Sequence, residues 1–200
     1  GVTFEQAFAP APYTVASIPS LLTGRLPDVH GVVHKGGMLR AEEVLLAEIL
    51  RDAGYATHAA ISNPNGSSMI GAEQGFDEYI EMYRKKGERE RIGLELEPPA
   101  ERDLAAERAE QKSFRLPKAQ HFLKVVEHWI EERDPERPFF WYVHLLEPHA
   151  PYQPPEPFRS RWIDPEYDGV LAEGDSASLL ATLDGELPVD EHDHAASRAL

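Results

Sequence analysis

Phe139-Phe140-Trp141-Tyr142-Val143-His144-Leu145-Leu146 is an unbroken apolar run, save for one histidine, and Pro138 stands immediately before it. A short apolar run of this kind, bounded by a proline, predicts a strand buried on both faces. Upstream, over Lys118–Glu132, Phe122, Val125, Val126, Trp129 and Ile130 recur at i, i+3, i+4, i+7 and i+8. That is the stripe of a helix packed on a core. Helix followed by buried strand is one half of an α/β repeat.

The same order occurs earlier. Ala41–Ala53 predicts an amphipathic helix, with Leu46, Ile49, Leu50 and Ala53 at helical spacing and Gly54 placed for a left-handed cap. Tyr55–Ser62 reads as a short strand, halted by the turn-forming Asn63-Pro64-Asn65-Gly66. Two helix-then-strand units predict an α/β domain, a mainly parallel sheet flanked by helices. Tyr55–Ser62 and Phe139–Leu146 should then be parallel neighbours or near-neighbours. In such sheets chemistry gathers beyond the carboxyl ends of the strands, which directs attention to Asn63–Ser68 and Glu147–Tyr152.

The rest of the chain is less regular. Residues 1–13 are small, apolar and Pro-rich, suited to an entry loop. Ala16–Leu22 predicts a short helix ended by Gly24 and Pro27, followed by a turn at His34-Lys35-Gly36-Gly37. From 83 to 115 the composition turns to dense mixed charge, read as a solvated surface excursion, and residues 160–200 form an acidic tail. His192, Asp193 and His194, with Glu191 beside them, read as a solvated loop rather than a metal site.

The 200 residues carry 20 Lys and Arg against 35 Asp and Glu, a formal charge of −15. That balance argues against nucleic acid or an anionic membrane as partner. No run in the sequence is long enough to span a bilayer. The absence of cysteine excludes disulfides, thiolate metal sites and a cysteine nucleophile.

Two segments carry candidate chemistry. Thr14-Val15-Ala16-Ser17-Ile18-Pro19-Ser20-Leu21-Leu22-Thr23-Gly24-Arg25, followed by His30-Gly31-Val32, places a hydroxyl at a helix start. There the unpaired N–H groups and the helix dipole favour an anion, although Thr at such a position also serves as an ordinary cap. Glu147-Pro148-His149-Ala150-Pro151-Tyr152 puts an imidazole in a proline-stiffened loop after a strand, where it can bind an anionic oxygen or protonate a leaving group. His144, inside the strand, suits either a hydrogen-bonded core histidine or a substrate contact.

These phrases resemble the sulfatase family of the alkaline-phosphatase superfamily. Its nucleophile motif runs from Cys or Ser through Pro-Ser-Arg to Leu-x-Thr-Gly-Arg, and nine residues before Thr23 is Thr14. A rival register from Ser17 would put Leu21 where the arginine belongs and bring Thr23 three residues too early. His144-Leu145-Leu146-Glu147-Pro148-His149-Ala150-Pro151-Tyr152 resembles the family's strand and loop, whose second histidine contacts the ester group; Gly75-Phe76-Asp77-Glu78-Tyr79 is similar to a packing motif downstream.

The resemblance implies an alkaline-phosphatase-like α/β fold, incomplete in this chain, with residues 1–200 forming part of one domain. It implies metal-dependent hydrolysis of a sulfate or phosphate ester, with Thr14 and His149 catalytic, Asn63 and His144 contacting substrate, and Thr14 also touching the metal. The cation would be calcium ahead of zinc, manganese or magnesium, and the substrate a small-molecule, glycan or lipid ester. Thr14 and His149 should then sit on the order of 5–8 Å apart.

Departures from the pattern matter. Pro-Ser-Arg is replaced by Ala16-Ser17-Ile18, and the family's Gly-Lys-Trp-His by Ile61-Ser62-Asn63-Pro64. Thr14 cannot become formylglycine and is instead similar to the threonine of sulfatase-related phosphodiesterases and phospho-transferases. The remaining metal ligands would lie before Gly1 and after Leu200. The chain is therefore expected to be a piece of a longer protein, without bound metal and inactive alone. The alternative is a non-catalytic sulfatase-like module that keeps an anion pocket.

Overall fold

The computed structural model describes residues 2–83, 119–147, 149, 157–162, 164, 166–170, 172, 176–191 and 193. The chain divides into two compact units, residues 1–146 and 147–200.

In the first unit, β1 (Ala56–Ile61), β2 (Glu78–Glu81) and β3 (Phe139–His144) form a three-stranded sheet in the order β2-β1-β3. Both pairings are parallel, with His58 opposite Glu78 on one side and Trp141 on the other. The two strands foreseen from sequence are thus direct parallel neighbours. β3 is less enclosed than its composition suggests: most of it is half-buried, and Phe139 is 46% exposed. The reason is its place at an edge of the described sheet, paired to β1 alone.

Helices cover both faces. On one, Phe122, Val125 and Trp129 of helix α4 (Ala119–Glu132) pack on Ala60, Ile80, Trp141 and Val143. Trp129 also donates its indole N–H to Glu78 at 2.6 Å. Ile130, placed in the stripe by its spacing, is instead 53% exposed, because the buried arc of α4 is centred on Phe122, Val125 and Trp129. On the other face, Val15, Ile18 and Leu22 of α1 (Thr14–Thr23) join Val32, which follows the short α2 (Pro27–His30), and Leu39, Leu45 and Ile70, with Phe76, Tyr79 and Tyr142 packed against them.

The helix expected over Ala41–Ala53 is shorter, α3 spanning Leu46–Asp52. Two interactions explain the late start. The Glu43 carboxylate is drawn inward to pair with Arg25 at 2.8 Å and with Arg40, leaving it 2% exposed. The Glu48 carboxylate then accepts the Leu45 N–H at 2.9 Å, closing the first turn. The apolar stripe is also displaced: Leu45 and Ala47 are buried, while Leu46 and Ile49 are exposed. Gly54 is left-handed, at φ +92°, as a cap there requires.

Gly75-Phe76-Asp77 fastens the start of β2. Thr57 donates its hydroxyl to the Gly75 carbonyl at 2.8 Å, and the Asp77 N–H returns to the Thr57 carbonyl at 2.7 Å. The Asp77 carboxylate accepts from the Thr57 N–H and from Arg137. Packing, the role expected of this motif, is what it does.

The second unit contains helices Phe158–Trp162 and Ser176–Leu183. Asp193, read from sequence as part of a solvated loop, is buried; it accepts from the Tyr167 hydroxyl at 2.5 Å and from the Asp190 N–H at 2.9 Å. A buried carboxylate needs such donors to offset its lost hydration. The excursion over residues 84–115, His192, His194 and most of the Pro148–Pro157 loop lie outside the described residues.

Candidate functional site

Helix α1 begins two residues earlier than its composition suggests, and this makes Thr14 its first residue, with Tyr13 extended at the cap position. Thr14 is therefore not the cap itself. The first intrahelical bond runs from the Ser17 N–H to the Tyr13 carbonyl at 3.1 Å. The N–H groups of the first turn have no intrahelical acceptor, and no acidic residue occupies that turn to neutralise the dipole.

Asn63 leaves β1 toward the same place. Its side-chain oxygen accepts the Asn65 N–H at 2.9 Å, which fixes the orientation of the amide, and its Nδ2 donates to Thr14 Oγ1 at 3.4 Å. The turn-forming role of Asn63 is thus observed, and its remaining amide donor is directed at Thr14. A donor aimed at the hydroxyl oxygen favours that oxygen when it carries negative charge.

β3 delivers His144 at its carboxyl end. Ser62 binds the His144 carbonyl twice, through its N–H at 3.0 Å and its hydroxyl at 2.7 Å. His144 Nδ1 is buried without a hydrogen-bond partner, and burial holds the ring's pKa below the usual histidine value. A proton on Nδ1 would be an unpaired buried N–H, so the neutral ring is best served by carrying it on Nε2. The Tyr142 ring stacks alongside at 6.1 Å, its hydroxyl pushed up to about 12 by burial. Gly66 fits between His144 and α1: a Cβ there would lie 2.4 Å from Ile18 Cδ1 and 3.4 Å from His144 Nδ1.

The remainder of the Thr14–Val32 segment is scaffold. The Val32 N–H donates to His30 Nδ1 at 3.2 Å, so His30 Nε2 carries the proton toward Ser20 Oγ, 2.9 Å away. The Ser20 hydroxyl in turn donates to the Ala16 carbonyl at 3.2 Å. Thr23 Oγ1 donates to the Pro19 carbonyl at 2.6 Å, back-bonding within the last turn of the helix. The Ser20–His30 pair and the burial of Glu43 were not foreseen, and ten- and eighteen-residue separations give no local signal for them.

Thr14, Asn63 and His144 therefore all belong to the first unit, and His149, exposed, to the second. Among the described residues no three His, Asp or Glu side chains converge as a cation cage. The described residues thus do not make up the metal site that the resemblance implies.

The sequence model of the family described as Sulfatase matches residues 1–176. An arylsulfatase of Clostridium perfringens is 26% identical over 187 residues, covering 78% of this chain and 37% of that protein. Among solved structures, the phosphonate monoester hydrolase of Agrobacterium radiobacter matches with a TM-score of 0.51 at 18% identity, over 78% of this chain and 35% of that one. This last likeness concerns the fold, and it agrees with the alkaline-phosphatase-like class. The chain spans little more than a third of the length of either relative. With the family match extending over most of its length, the chain belongs to the Sulfatase family.

Proposed function

We propose that this chain forms the nucleophile-bearing part of a hydrolase of sulfate or phosphate esters, with Thr14 the nucleophile. The observation that carries the reading is the hydrogen bond from Asn63 Nδ2 to Thr14 Oγ1. It ties the first residue of a helix with an unneutralised N-terminus to the carboxyl end of the central strand.

Four residues share the work. First-turn N–H groups of α1 hold a tetrahedral anion with its central atom facing Thr14 Oγ1. Asn63 orients that oxygen and stabilises negative charge on it. His144 offers Nε2–H to an anionic oxygen, and His149 holds the ester oxygen or protonates the departing alcohol. A threonine favours phosphoryl chemistry, whereas the surrounding motif favours sulfuryl transfer; small-molecule, glycan and lipid alcohols all remain candidate leaving groups.

The test measures hydrolysis of aryl sulfate and aryl phosphate, with and without divalent cations, by the 200-residue chain and by any longer product of the same reading frame. Turnover is expected from the longer protein and not from the 200-residue chain. Metal-dependent turnover by the short chain would refute the expected inactivity. Substrate binding without turnover at any length would favour the anion-binding module.

A further inference from the structure

We infer that Glu81 and Tyr79 of β2 are positioning residues for Asn63, and through it for Thr14. Asn63 opens a loop of two 3-10 turns, Pro64–Gly66 and Ser68–Ile70. Each turn is fastened to β2 by a side chain. The Tyr79 hydroxyl donates to the Gly66 carbonyl at 2.5 Å. Glu81 Oε1 accepts both the Ser68 N–H at 2.8 Å and the Ser68 hydroxyl at 2.9 Å.

Tyr79 and Glu81 are two residues apart on one strand, so they project from the same face. That face is the one α1 covers, since Tyr79 packs against the Val15–Ile18–Leu22 cluster. The loop is thus gripped from β2, while Ser62, just before Asn63, is gripped from β3 through the His144 carbonyl. Asn63 has little freedom left to move relative to Thr14.

Glu81 is 5% exposed, and a buried carboxylate is a costly way to hold an ordinary loop. Its value is geometric: one oxygen fixes both a backbone and a side-chain donor of the same residue. Small displacements at a reacting atom have large consequences, so a clamp one strand away can control the site.

The anion-binding arm of the test rests on the reading of Thr14 given above; the spectroscopic arm does not. In the free chain, the Asn63 side-chain amide resonances are followed by NMR in wild type, Glu81→Gln, Glu81→Ala and Tyr79→Phe. Glu81→Gln keeps an acceptor for both Ser68 donors and should leave the Asn63 signals near wild type. Glu81→Ala and Tyr79→Phe should move them toward the values of a solvated amide. Inorganic phosphate is then titrated into each protein, and Glu81→Ala should bind it roughly 10–100-fold more weakly, with Glu81→Gln close to wild type.

Asn63 signals unchanged in folded Glu81→Ala, or Glu81→Gln behaving like Glu81→Ala, would overturn the clamp. If Glu81→Ala does not fold, Tyr79→Phe with Ser68→Ala decides the matter by the same signals. Wild type that ignores phosphate while the Asn63 signals respond as expected would sink the reading of Thr14 and leave the clamp standing.

Discussion

Gly75 lies directly against the backbone of Glu48: a Cβ added to it would sit 2.3 Å from the Glu48 nitrogen and 2.7 Å from its Cα. Gly75 is also left-handed, at φ +82°. Neither the contact nor the conformation can be relieved by rotating a side chain. Gly75→Ala should therefore destabilise the chain by roughly 2–4 kcal/mol. Urea unfolding followed by circular dichroism checks this, and a wild-type midpoint would mean that α3 can yield.

The two arcs of α4 should respond differently to truncation. Phe122→Ala removes a side chain packed between helix and sheet and should cost about 3–5 kcal/mol. Ile130→Ala, on the exposed arc, should stay within about 0.5 kcal/mol. Equal losses in denaturant titrations would show that the helix is rotated relative to this packing.

Acid should weaken the fold through histidines rather than carboxylates first. Burial holds His30, His58 and His144 below the ordinary histidine value; Glu43 beside His30, and Glu78 and Asp77 beside His58, offset part of that effect. In the unfolded chain these rings take up protons near pH 6.5, whereas the folded chain resists. Stability is thus complete above about pH 6.5 and falls as pH drops from there toward the lower folded values. Glu43, held below its usual range first by Arg40 and then by Arg25, adds a loss at lower pH still. Urea midpoints at pH 7.5, 6 and 5 should decline in order; a flat series would mean the rings are solvated in the folded state.

In a longer, active product of this reading frame, Thr14→Ala should abolish ester hydrolysis. His149→Ala should lower kcat by roughly 10²–10⁴-fold if the imidazole protonates the leaving alcohol, with the loss smaller for aryl esters whose leaving groups need no proton. A Thr14→Ala protein of undiminished activity would exclude the nucleophile assigned here. Trapping phosphate between the two residues in a solved complex would test the expected separation, on the order of 5–8 Å.

How much of this was legible depended on whether the deciding contacts were local. Phe122, Val125 and Trp129 announce their helix by spacing alone, and Ala56–Ile61 and Phe139–His144 are bounded by Gly54, Asn63 and Pro138, so the parallel pair could be read directly. The short α3 could not be read, because its start is set by Arg25 and Arg40 drawing Glu43 inward, a tertiary override of a good helical pattern. Thr14 came from matching the family's nucleophile motif at Thr23, and Asn63 from its place opposite the family's Gly-Lys-Trp-His. Their hydrogen bond joins residues 49 positions apart, and the clamp from Glu81 is likewise a product of sheet order that no local pattern encodes.

The central place of β1 has a consequence for how the sheet comes together. Along one edge Thr57 meets Asp77, 20 positions away, and along the other Ser62 meets His144, 82 positions away. Closing the longer loop costs roughly 1.2 kcal/mol more in chain entropy. The β1–β2 edge can therefore form early from nearby sequence, and β3 must search for a template already made. Amide protons of β1 shared with β3 should be the last protected during refolding, so the strand end that presents His144 is completed after the loop that presents Asn63.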